Sequence, residues 1–275
     1  MNWLQALLLG LVQGLTEFLP VSSSGHLAIG REILGVEASG DLVFEVAVHA
    51  ATVLATIVVF RKEIGRLIAG LFKFRYNDET DYILKICLSM IPVLLVGLFL
   101  KDKVEGLFAS LLTVGLALVV TAMILFFADY FSRKREAAAA AEETSGPGPR
   151  NGISWWQALV VGIGQAFAVI PGLSRSGTTI GTGLLCGVKR SSVAQFSFLM
   201  VLIPILGEAF LDVVGGDASA SSVGALPLVV GFLAAFVSGL FACKVMIAVV
   251  KKAKLSWFAL YCALVGLAVI IYTLC

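Results

Sequence analysis

The sequence predicts an all-α polytopic membrane protein with six transmembrane helices and two re-entrant helix–loop–helix hairpins, arranged as an inverted-topology repeat. Three observations predict it: an apolar composition, six unbroken apolar runs of spanning length, and two broken apolar stretches that copy each other. The residues AVILMFWYC make up 59% of the 275 residues, 28 glycines stand beside them, and charged residues reach only 14%. Soluble domains carry about 45–50% of the apolar-plus-glycine set and about a quarter charged residues. At this length a soluble fold lacks the interior to hide the surplus, and a disordered chain has the opposite balance. A net charge of +2 gives no footing for nucleic acid, so the bilayer is the expected partner. The five cysteines (Cys87, Cys186, Cys243, Cys262, Cys275) sit in apolar stretches without a CxxC pair and read as small apolar residues. The first Lys or Arg is Arg31, so the N-terminus does not read as a signal peptide.

Taken in order, residues 3–30 form the first broken stretch, interrupted at Leu19-Pro20-Val21-Ser22-Ser23-Ser24-Gly25-His26. Pro and Gly stop a helix, and backbone freed at membrane depth is tolerated only inside protein or beside a wet cavity. A hairpin that dips into the membrane and returns satisfies both conditions. Spans follow at 42–60, 83–100 and 107–129, each close to the roughly 20 apolar residues that cross a bilayer. Residues 136–152, with an alanine run and then Thr144-Ser145-Gly146-Pro147-Gly148-Pro149, read as a flexible tether. Residues 155–188 form the second hairpin, broken at Pro171-Gly172-Leu173-Ser174-Arg175-Ser176-Gly177, and spans follow at 193–213, 226–250 and 255–274.

At an ungapped offset of 152 the two broken stretches share 9 identities in the 23 positions from 3 to 25, among them Gln13 with Gln165, Ser22 with Ser174, Ser24 with Ser176 and Gly25 with Gly177. Residues 1–135 and 153–275 are therefore expected to be repeats within one membrane domain. Each has one hairpin and three spans, and an odd span count turns the second repeat upside down. Loop charge agrees. Arg61, Lys62, Arg66, Lys73 and Arg75, then Arg133, Lys134 and Arg135, then Lys189 and Arg190, then Lys251, Lys252 and Lys254 all fall on one side of a six-span arrangement. By the positive-inside rule that side is cytoplasmic and both termini are outside.

Hairpins entering from opposite faces bring their tips together near the midplane. One tip supplies Glu17, Ser22, Ser23, Ser24 and His26, the other Ser174, Arg175, Ser176, Thr178 and Thr179. Ionisable groups inside a membrane are functional candidates by default. Helix-opening loops offer free N–H groups and a positive dipole end, and Arg175 adds a planar fork of donors, so the pocket calls for an anion, phosphate above all. His26 is placed to activate a nearby hydroxyl or to protonate a leaving group. Gln13 and Glu17, four apart, share a helix face, where Glu17 either binds metal, orients His26 or is neutralised by Arg175. Glu45 and His49 form another such pair. Glu45 is a candidate second cation ligand or a structural ion-pair partner, and His49 reads as structural. Glu208 and Asp212 read as interfacial.

These residues carry a resemblance. The run Gln13-Gly14-Leu15-Thr16-Glu17-Phe18-Leu19-Pro20-Val21-Ser22-Ser23-Ser24-Gly25-His26 has a (Glu/Gln)-x-x-x-Glu element and a serine run ending in His, and the second tip reads Pro-Gly-x-Ser-Arg-Ser-x-x-Thr through Thr179. Together, and over essentially the whole chain, they resemble the undecaprenyl-diphosphate phosphatase (bacitracin-resistance) family of bacteria. The resemblance implies an enzyme of the bacterial inner membrane, opening toward the outer face, that removes the terminal phosphate of undecaprenyl diphosphate. It thereby recycles the lipid carrier of peptidoglycan synthesis and confers bacitracin resistance. The implied partners are the polyprenyl diphosphate and the bilayer, a homodimer is left open, and the implied cofactor is a divalent cation, Mg²⁺ or Ca²⁺. Gln13, Glu17, Ser23, His26, Ser174, Arg175, Ser176 and Thr179 match the family's functional positions. Position 13 is Gln where many members have Glu, so a cation site there holds one carboxylate, Glu17, with Glu45 the candidate for a second. A rival membrane phosphatase pattern, Ser-Arg-x5-His-x3-Asp, fails because Gly181 and Leu185 occupy its His and Asp positions. The expected chemistry has Arg175 and the cation neutralising phosphate, Ser22, Ser24, Ser174, Ser176 and Thr179 lining it, and Ser23 or an activated water attacking with His26 as base or acid. The competing class is a carrier that flips polyprenyl phosphate at the same site.

Overall fold

The computed structural model describes residues 1–36, 42–100, 103, 106, 110–142, 149–214, 223–252 and 254–275, and these contain helices and no strand. Ten α-helices are described: α1 (Trp3–Thr16), α2 (Ser23–Leu34), α3 (Leu42–Leu71), α4 (Asp78–Phe99), α5 (Leu111–Glu142), α6 (Trp155–Phe167), α7 (Arg175–Leu185), α8 (Arg190–Val214), α9 (Ala225–Lys252) and α10 (Ser256–Leu274). Six of them, α3, α4, α5, α8, α9 and α10, are long and apolar enough to cross a membrane. They fall on the six runs expected from sequence, and this is a multi-pass membrane protein.

The ends differ from expectation for local reasons. Helix α4 begins at Asp78 rather than 83, because Asn77 caps it by accepting from the Thr80 N–H and Asp78, Glu79 and Asp81 suit the positive end of the helix dipole. Helix α5 runs on through the alanines to Glu142, since alanine has the highest helix propensity. Residues 136–142 of the tether expected over 136–152 are thus helical, and 143–148 lie outside the described residues, as do 215–222 and the side chains of Glu208 and Asp212.

Each broken stretch is two helices separated by a short non-helical segment, and the same bonds recur in both. Asn2 and Gln5 form a capping box at the start of α1, as Ser154 and Gln157 do at α6. Gln5 Nε2 then reaches the Leu34 carbonyl at the far end of α2 (3.1 Å), and Gln157 Nε2 the Cys186 carbonyl at the far end of α7 (3.0 Å). One glutamine thus closes each helix pair. Ser22 caps α2 by accepting from Gly25 N–H, and Ser174 caps α7 by accepting from Gly177 N–H.

Helix α1 packs on α9, α6 on α4, and α5 on α10. These contacts are close because small residues face one another. A side chain at Gly14 would collide with Ser238 and the Ala235 carbonyl on α9, and one at Gly162 with the backbone of Ser89 on α4. Buried ion pairs tie the ends. Lys85 Nζ donates to Asp81 Oδ2 at 2.7 Å with both side chains 2% exposed. The same lysine reaches the Arg150 carbonyl, Asn151 donates to Asp81, and Arg150 pairs with Asp78. Arg190 joins Asp129 (2.8 Å) and Glu136 (3.1 Å). Removing one member of a buried pair strands its partner at about 3–5 kcal/mol. Lys85→Ala is therefore expected to lower the melting temperature in detergent markedly. Lys85→Met with Asp81→Asn should recover most of the loss, and equal losses in the two proteins would contradict this account.

Candidate active site

The two breaks meet. Ser176 Oγ donates to the Leu19 carbonyl at 3.0 Å, and the Cα of Gly172 lies against Gly25. Gly172 has φ +88°, and a side chain there would strike the backbone of Val114 on α5. Only glycine combines that left-handed backbone with that approach. Ser22 takes φ 71° with a side chain present, a strained conformation of the kind that gathers at functional sites. The strain turns the chain so that Ser23 opens α2 toward α1.

Glu17, just past the end of α1, is the hub. Its Oε2 accepts from Gln13 Nε2 at 2.8 Å and from Ser23 Oγ at 2.5 Å, and its Oε1 accepts from Arg175 Nη2 at 3.3 Å. His49 Nε2 lies 3.9 Å from Oε2. Gln13 is fully buried, and its Oε1 has no partner among the described residues. Arg175 is the first residue of α7, which Ser174 caps, so the guanidinium starts from the end of that helix that carries the free N–H groups. Behind it, Ser174 N–H donates to Thr121 Oγ1 (3.1 Å), Ser174 and Ser176 hydroxyls lie 3.3 Å apart, and Thr179 Oγ1 donates to the Arg175 carbonyl (2.8 Å) and contacts Ser197 Oγ (2.5 Å). The second tip is thereby held rigid.

A small, partly open cavity lies beside the cluster. Glu17, Arg175, Ser176, Ser197, Thr52 and Thr56 give it a polar side, while Phe198, Val201, Leu202 and Ile205 of α8 are among its apolar walls.

The structure brings together Gln13, Glu17, Ser23, Arg175 and Ser176. Ser22 and Ser24 hydroxyls pair with each other at 3.3 Å. His26 is placed differently from expectation. Its Nδ1 bonds the Ser22 carbonyl at 2.8 Å, and its Nε2 meets the hydroxyl of Tyr261 on α10 at 2.8 Å, with the rings stacked 5.6 Å apart. Ser23 therefore donates its hydrogen bond to Glu17 and not to His26. A ring that donates from Nδ1 to a carbonyl keeps Nε2 as an acceptor when neutral. Glu45 pairs with Arg31 at 2.6 Å. Among the described residues no three of His, Cys, Asp and Glu gather as a metal site. Tyr261 was missed from sequence because nothing in an apolar span marks it, and His49 was read as structural because its partner, Glu17, follows a different helix.

Fold and site define an integral-membrane protein in which two broken helices enclose a carboxylate–guanidinium–hydroxyl cluster. The family described as bacitracin resistance protein BacA matches residues 6–268, and the chain belongs to it. A protein of Parabacteroides distasonis named undecaprenyl-diphosphatase is 53% identical over 278 residues, covering 100% of this chain and 99% of that protein. One of the same name from Bacteroides thetaiotaomicron is 52% identical over 275 residues (98% and 99%), and one from Methanococcus vannielii 37% identical over 272 (98% and 100%).

Proposed function

We propose that this protein hydrolyses undecaprenyl diphosphate to undecaprenyl phosphate and orthophosphate, as the name of its relatives implies, and so returns the lipid carrier and confers bacitracin resistance. The observation that carries the reading is the Ser23–Glu17–Arg175 cluster beside a cavity lined by both polar and apolar side chains. Arg175 neutralises the terminal phosphate, which is most of what phosphoryl transfer demands. Ser23 Oγ attacks the terminal phosphorus while Glu17 takes its proton, and the bond from that phosphorus to the bridging oxygen breaks. The leaving lipid monophosphate is already a stable anion and needs charge neutralisation rather than a proton. Water then cleaves the bond from phosphorus to Ser23 Oγ, His26 Nε2 accepting its proton once Tyr261 gives way and Glu17 returning its own to Ser23 as orthophosphate leaves. Ser22, Ser24, Ser174, Ser176 and Thr179 shape the phosphate cradle.

Glu17 and the orphaned Gln13 Oε1 would hold a divalent cation, Mg²⁺ or Ca²⁺, once Arg175 turns from Glu17 to the phosphate, with Glu45 kept by Arg31. When bound it supplies further neutralisation of the diphosphate. The broken helices are read as re-entrant hairpins of an inverted repeat, supported by the recurring caps and by the exchange of partners in which α1 packs on α9 and α6 on α4. Loop charge supports termini on the outer face of the inner membrane and a site opening there. A carrier has no use for a hydroxyl held against a carboxylate, which disfavours flipping as the primary activity.

The test reconstitutes the protein in phosphatidylglycerol vesicles and follows orthophosphate release from C55 polyprenyl diphosphate alongside transbilayer movement of C55 monophosphate. Release is expected, abolished by EDTA and restored by Mg²⁺ or Ca²⁺. Movement without release would replace the hydrolase with the carrier, and release indifferent to EDTA would remove the cation.

A further inference from the structure

Helix α3 carries Glu45, His49, Thr52 and Thr56, spaced four, three and four residues apart, so they lie along one face. Thr52 and Thr56 reach the cavity, and His49 stands against Glu17. One turn nearer the start of α3, Glu45 holds Arg31 from the last turn of α2. Side-chain exposure rises along this line from 6% at Glu17 through 21% at His49 to 35% at Glu45. A polar stripe therefore leads from the cluster toward the end of the molecule where α3 begins.

Arg31 is the unusual member. Its Nη1 is 2.6 Å from Glu45 Oε1, while its Nε and Nη2 are buried and have no partner among the described residues. A guanidinium with two inward donors unmet is costly unless something accepts from them. A planar fork of that kind matches a phosphate oxygen pair. His49 links the two positions, its Nδ1 bonded to the Glu45 carbonyl at 2.9 Å and its Nε2 turned toward Glu17.

We propose that Arg31 is a second phosphate position, one step outward from the catalytic cluster. The inference rests on the phosphatase reading for its purpose. Orthophosphate freed inside a membrane protein is too hydrophilic to follow the lipid and leaves along a polar track, and Arg31 is its first stop. The same fork also fits the inner phosphate of the lipid before cleavage.

The test compares Arg31→Gln and Glu45→Gln in the full-length protein, by equilibrium binding of radiolabelled orthophosphate and by steady-state hydrolysis of C55 polyprenyl diphosphate. Arg31→Gln should weaken orthophosphate binding about tenfold, whereas Glu45→Gln, which frees the guanidinium, should tighten it several-fold. Damage to the fold moves both variants the same way. A shift in the product-inhibition constant of orthophosphate assigns the position to the released product, and a shift in KM alone assigns it to the lipid phosphate. If neither variant moves binding, inhibition or KM, or both weaken binding alike, the site does not exist. Arg31-dependent orthophosphate binding by a protein that hydrolyses no lipid would keep the site and remove the phosphatase. Normal hydrolysis with no shift would do the reverse.

Discussion

Arg175→Ala is expected to lower kcat/KM by roughly 150- to 5000-fold, the equivalent of about 3–5 kcal/mol lost when a buried charge loses its partner. The arginine has two tasks. In the resting site its Nη2 holds Glu17 Oε1 at 3.3 Å, and in the proposed reaction the fork turns to the terminal phosphate. Alanine leaves the Glu17 carboxylate, 6% exposed, without its cation, and leaves the phosphate without its strongest donor. Lysine restores the charge but not the planar fork, so Arg175→Lys should recover only part of the rate. Steady-state hydrolysis by the folded variants checks this, and turnover within threefold of the parent in Arg175→Ala would remove the arginine from the chemistry.

Ser23→Ala is expected to have the larger effect. A nucleophile acting with its base loses nearly everything when removed, typically roughly 10³- to 10⁶-fold. Of the three consecutive serines only Ser23 bonds the hub, donating to Glu17 Oε2 at 2.5 Å, whereas Ser22 and Ser24 pair with each other. Ser24→Ala should consequently stay within about tenfold, in keeping with loss of one ordinary hydrogen bond. Rapid-quench measurement should also trap label from the terminal phosphate on the parent protein and none on Ser23→Ala. An active Ser23→Ala would make water the nucleophile.

Much of this arrangement was legible in the sequence because it is local or repeated. The spans announce themselves by length and composition. Gln13 and Glu17 share a face at spacing four, and their bond at 2.8 Å follows from helix geometry alone. The two tips matched each other in sequence, and both their caps and their mutual contact appear in the fold. Partnerships across helices were not legible. Apolar periodicity gives a buried face but not its neighbour, so nothing indicated that Tyr261, 235 residues on, would hold His26. The adjacency of Ser23 and His26 in the chain suggested a pair. The strained Ser22 turns the serine toward α1 instead, and Glu17 receives it. The i, i+4 pattern at Glu45 and His49 was visible, but it could not reveal that each would look to a different helix, Glu45 to Arg31 and His49 to Glu17.

The most direct measurement is orthophosphate release from C55 polyprenyl diphosphate by the purified protein in detergent, beside Ser23→Ala and Arg175→Ala. The account predicts release by the parent and its loss in both variants, all three remaining folded and able to bind the lipid. A folded parent that binds the lipid and releases no phosphate would contradict it, as would release that survives in both variants.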